Sequence, residues 1–72
     1  MSLTKNLKLI GVMATKGVTI KGLAEMIGMS YSTLQRKIAG RSPFDTAEIK
    51  QIMIALELTP DEAADIFLGG RD

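Results

Sequence analysis

Cysteine, histidine and tryptophan are all missing from this chain of 72 residues. Without cysteine there is no disulfide and no thiolate chemistry. Without cysteine or histidine, the usual zinc ligand sets and imidazole acid–base catalysis are excluded as well. Proline occurs twice and aromatic residues make up only 4%, whereas hydrophobic residues reach 46%, so the core must be built from aliphatic side chains. No apolar run approaches the ~18–20 residues of a membrane span, and no basic stretch followed by a long apolar block suggests a signal peptide. The expectation is one cytoplasmic domain over 1–72, with its core at about 3–68, burying about 60–65% of the surface its unfolded chain exposes. Neither strand, repeat nor low-complexity pattern is present.

The formal charge of +1 hides a polarity. Residues 1–44 carry seven basic groups (Lys5, Lys8, Lys16, Lys21, Arg36, Lys37, Arg41) against Glu25 alone, a local +6. Residues 45–72 carry Lys50 and Arg71 against seven acids, a local −5. Such asymmetry fits a polyanionic partner on one side of the molecule, although an ordinary solvated surface would also produce it.

Apolar spacing divides the chain into five helices. Leu3, Leu7, Ile10 and Ala14 repeat at helical spacing, predicting a first helix from about Leu3 or Thr4 to Lys16, ended by Gly17. Thr19 caps a second helix that stops at Gly28, and Ser30 caps a third running from Tyr31 to about Ala39 before Gly40. Pro43 marks a loop. Asp45 and Glu48 then have the spacing of a capping box, with Phe44 and Ile49 as its hydrophobic staple; Ile49, Ile52, Met53 and Leu56 form the buried stripe and Ile54 falls off it. The fifth helix is signalled by Thr59 as cap, Pro60 at its first position and Glu62 closing a second box, with Ala63, Ile66 and Phe67 facing inward. Met13, Met26, Met29 and Met53 read as core gap-fillers.

The stretch Thr19–Gly40, TIKGLAEMIGMSYSTLQRKIAG, is the part the rest of the chain serves. Leu23, Ala24 and Ile27 make one apolar face, Gly28 interrupts it, and Leu34 and Ile38 resume it, which is the pattern of a helix-turn-helix. Ala24 is small where a second helix crosses, and Gly28 can take the positive φ that turns the chain. Tyr31, Ser32 and Thr33 fall in the first turn of the third helix and face outward. The residue types suit a major groove: arginine pairs with guanine O6 and N7, glutamine with adenine N6 and N7, and serine with either edge. Partial core packing is the competing reading of Tyr31, and a solvated surface position that of Arg36.

Through LAEMIGMSYSTLQRKIAG, Pro43–Phe44 and LELTPDE, the chain resembles the lambda-repressor-like, or Cro-type, helix-turn-helix domains of phage and bacterial regulators. The resemblance implies an all-α, compact five-helix bundle whose third helix lies in the major groove. By position it makes Tyr31, Ser32 and Arg36 base readers, with Gln35 a neighbour in reach. Lys21, Thr33, Lys37, Arg41 and Ser42 become the phosphate holders, gripping the backbone on either side of the reading helix. Ile20 departs from the pattern, since many members carry a glutamine there, and Lys37 stands where members often have an apolar residue.

The expected function is sequence-specific double-stranded DNA binding by a Cro-like or phage-type repressor that occludes an operator. One reading helix spans few base pairs, so a homodimer on an approximately palindromic site is expected, with Phe44, Ile54 and Leu68 as candidate dimer contacts. Ile54 is equally readable as an ordinary exposed isoleucine. A protein-interaction module on the same fold, such as an antitoxin or anti-repressor, is the alternative. No enzyme is expected, and no cofactor, metal or small-molecule ligand is called for: Asp61, Glu62 and Asp65 suit the first turns of a helix, where its dipole favours acids.

Overall fold

Every helix in this protein opens in the same way. In the computed structural model, which describes residues 6–67, five residues stand just before the five helices and each accepts a hydrogen bond from the backbone amide three residues on. Asn6 takes that of Leu9, Thr19 that of Gly22, Ser30 that of Thr33, Asp45 that of Glu48 and Thr59 that of Glu62, at 2.8–3.2 Å. Each such cap is worth ~1 kcal/mol. The helices that follow are α1 (Leu7–Lys16), α2 (Ile20–Ile27), α3 (Tyr31–Ile38), α4 (Thr46–Leu56) and α5 (Pro60–Phe67), and no strand occurs among the described residues. Both capping boxes read from the sequence close: Glu48 returns a bond from the amide of Asp45 (3.0 Å) and Glu62 from that of Thr59 (2.8 Å).

The first four helices also end alike. The amides of Val18, Met29, Arg41 and Leu58 reach back to the carbonyls of Met13, Ala24, Arg36 and Met53 at 2.8–2.9 Å. A residue in the left-handed region precedes each of them, so these are Schellman turns. Gly28, at φ +73°, is the one inside the helix-turn-helix, as its sequence position predicted. Space is no constraint there, since a Cβ on Gly28 would meet nothing within 4 Å; the backbone angle alone demands glycine. Glu57 takes the same conformation at φ +56° without glycine's freedom. After three of the turns an apolar residue (Val18, Met29, Leu58) folds back onto the core. After α3 the corresponding residue is the exposed Arg41.

α1 packs on α5, α2 on both α3 and α4, and α4 on α5. Leu9, Leu23, Leu34, Ile52 and Leu56 are fully buried at the centre, joined by Met13, Ala24, Ile27, Ile38, Leu58 and Ile66. No polar side chain is buried among the described residues.

Three expectations need correction. α1 begins at Leu7, because Asn6 is spent as its cap; the proposed earlier start falls on residues outside those described. Its buried residues are Leu9 and Met13, whereas Leu7 is 71% exposed and Ala14 is exposed. Two apolar stripes compete on this helix, and Asn6 fixes where it starts. Its amide donates to the carbonyl of Ile38 (2.9 Å) and its side chain donates to that of Ile66 (3.1 Å), which pins the start of α1 to the ends of α3 and α5. Met26, read as a core filler, is 58% exposed on the outer face of α2.

Candidate nucleic-acid interface

α3 divides cleanly into two faces. Leu34 and Ile38 point into the core with 0% and 3% exposure. Tyr31, Ser32, Gln35 and Arg36, spaced i, i+1, i+4 and i+5, form one exposed stripe on the opposite side. The four expected base readers are thus together on a rigid surface held by Ser30's cap at one end and the Gly40 turn at the other. Tyr31 is 48% exposed, so it is not a core residue, and its hydroxyl oxygen accepts a hydrogen bond from Gln35 Nε2 at 3.3 Å. Ser32, Gln35, Arg36, Ala39 and Arg41 line a shallow hollow along the rest of the stripe.

Cations flank this stripe. Arg41 is exposed beyond the C-terminus of α3, and Lys21 is exposed in the first turn of α2, beside Tyr31. The ion pairs among the described residues are Lys8–Asp65 and Lys37–Glu48. Lys21, Arg36 and Arg41 therefore face solvent with no described carboxylate to neutralise them. Ser42 is half-buried in the loop after Arg41. Thr33 is also half-buried, and its Oγ1 accepts a hydrogen bond from Ser30 Oγ at 2.7 Å, which ties it into the cap.

Lys37 does not join the other cations. Its Nζ lies 2.6 and 2.7 Å from the two carboxylate oxygens of Glu48, and the two side chains are only 15% and 19% exposed. Glu48 is at the same time the closing residue of the α4 capping box. One carboxylate thus caps α4 and clamps α3 to it, and Lys37 is a brace between helices where a phosphate holder was expected. The sequence carried a signal for this, namely a lysine beside Ile38 on the inner half of α3 and an acid eleven residues later, but spacing alone did not join them.

The residues considered for a contact between copies are scattered in kind. Ile54 is 78% exposed, in agreement with its off-stripe position. Phe44 is half-buried with its ring edge-on to Phe67, centroids 5.3 Å apart at 74°, so it anchors the loop before α4 to the end of α5. Leu68 lies outside the described residues. Two of the acids that raised the question of a metal have structural partners: Glu62 closes its cap and Asp65 meets Lys8 at 2.7 Å.

No helix among the described residues is long and apolar enough to cross a membrane. No curated protein and no solved structure matches the chain. A family model described as the Cro/C1-type HTH DNA-binding domain matches residues 8–67, from the first turn of α1 to the last residue of α5. With the capped α2–turn–α3 unit, the outward stripe on α3 and the unpaired cations beside it, that match has a physical basis in this molecule: the chain belongs to the Cro/C1-type helix-turn-helix DNA-binding domains.

Proposed function

We propose that this protein is a Cro-like repressor of a phage or other mobile element, binding as a homodimer to an approximately palindromic operator in the cytoplasm. The observation that carries the reading is the α3 stripe: Arg36 and Gln35 are exposed on the face that would meet base edges, and Lys21 and Arg41 bracket them without a described acidic partner. In the major groove Arg36 would donate two parallel hydrogen bonds to guanine O6 and N7, and Gln35 would pair with adenine once it leaves Tyr31. Ser32 reaches either kind of base edge. Lys21 and Arg41, with Ser42, would hold phosphates on the two sides of the groove and set the register without reading sequence.

Repression then needs no further chemistry. A second copy on the adjacent half-site, with centres about 34 Å apart, turns a short footprint into a selective one. A dimer covering a promoter excludes polymerase by volume alone. The exposed Ile54 supports a contact between copies in the acidic half of the chain.

The test is selection of bound duplexes from a random pool, followed by footprinting on the winner at several salt concentrations. The expected result is an inverted repeat protected over both halves, with affinity falling steeply as salt rises. Weak binding with no preferred sequence and little salt dependence would sink the reading and favour a protein-interaction module, such as an antitoxin or anti-repressor, on the same fold.

A further inference from the structure

Beside the start of α3 is a second hollow, lined by Thr19, Ile20, Lys21 and Tyr31. Its wall is mostly carbon, although it opens next to the polar reading stripe. Ile20, the first residue of α2, is half-buried and packs on the core. Tyr31, the first residue of α3, has its hydroxyl engaged along the helix by Gln35, which leaves ring carbons to wall the hollow. Lys21 supplies a cation at the same place and has no ion-pair partner among the described residues.

We infer that this hollow reads a thymine by its 5-methyl group, with Ile20 and the Tyr31 ring as the seat and Lys21 on the phosphate of the same strand. The inference rests on the DNA reading proposed above and adds to it a specificity-determining residue that lies outside α3. Isoleucine has neither donor nor acceptor, so it can tell bases apart only by apolar contact. In the major groove thymine is the one standard base that presents a methyl group. That methyl stands at the edge of the groove nearest its own strand's backbone, so an apolar seat with a cation beside it matches the two ends of a single thymidine nucleotide. A site that held phosphate alone would gain nothing from a carbon wall.

The experiment uses the full chain and its best duplex from a random pool. Each thymine is replaced singly by deoxyuridine, which deletes the methyl and keeps Watson–Crick pairing, and binding is titrated by fluorescence anisotropy. One thymine per half-site should lose about four-fold on replacement, the factor expected for one buried methyl group. With Ile20→Gln the thymine and uracil duplexes should bind alike, whereas Ile20→Met, which keeps an apolar side chain, should keep the ratio. The scan with the unaltered chain stands whether or not either variant folds. Uracil duplexes that all bind like their parents would overturn the inference, and so would a penalty undiminished in a folded Ile20→Gln. A chain that selects no duplex at all would overturn the DNA reader itself, a different and recognisable failure.

Discussion

The clamp between Lys37 and Glu48 makes the sharpest prediction, because it decides whether a basic residue on the reading helix serves the fold or the DNA. Glu48→Gln keeps the length of the side chain and an oxygen for the Asp45 amide, now 3.0 Å away, so it removes the ion pair while sparing the cap. Lys37→Met keeps the apolar stem and removes the charge. Removing one partner of a fully buried pair costs ~3–5 kcal/mol. Here the side chains retain 15% and 19% exposure, and water relieves part of the stranded charge, so each single change should cost about 2 kcal/mol. The double variant strands no charge and should cost about 1 kcal/mol, which leaves a coupling of about 3 kcal/mol between the two positions. In a domain of this size each single change should lower Tm by about 8–16 °C. Urea unfolding followed by circular dichroism reads all four corners of the cycle. DNA binding supplies the second readout: Lys37→Met should leave the slope of log affinity against log salt unchanged if the Lys37 ammonium stays with Glu48 in the complex. A coupling below about 0.5 kcal/mol, together with a slope reduced by about one, would refute the clamp and return Lys37 to the phosphate holders.

The other expectations are simpler to read. Gly28→Val should destabilise by more than ~1 kcal/mol through its φ of +73° alone, and Glu57→Gly, relieving a non-glycine residue at φ +56°, should stabilise by ~0.5–1 kcal/mol; thermal melts with the opposite signs would show the turns misjudged. Arg36→Ala should lose ~1–3 kcal/mol on the best duplex and relax preference at one base pair, whereas Arg41→Ala should weaken all duplexes alike and lower the salt slope by about one. Competition titrations against single-base variants separate the two, and an Arg36→Ala protein with its full preference intact would cost Arg36 its role. Ile54→Lys, at a position 78% exposed, should leave the fold and half-site binding unchanged and reduce cooperative binding to the full site; unchanged cooperativity by footprinting would remove Ile54 from the contact.

Legibility in this chain followed the range of the interactions. The caps of α2 to α5 and the turn at Gly28 were readable because each depends on a few adjacent residues: a hydroxyl or carboxylate, an amide three positions on, and a glycine where φ must be positive. The division of α3 was readable for the same reason, since helical spacing puts Leu34 and Ile38 on one side and Tyr31, Ser32, Gln35 and Arg36 on the other. Local chemistry therefore determined that the chain is all-helical and which helix presents the polar stripe. The rotation of α1 was not local. Leu7 and Leu9 are equally apolar, and which of them is buried was settled by tertiary contact, including the bonds from Asn6 to Ile38 and Ile66, which exist only once the start of α1 has met the ends of α3 and α5. Lys37 was undecided in the same sense: a lysine flanked by Arg36 and Ile38 can turn outward to a phosphate or inward to an acid. Packing of α3 and α4 against the same helix, α2, brought Glu48 within 2.6 Å and chose the inward state, because a carboxylate that α4's cap holds largely out of water is costly unless a cation pairs with it.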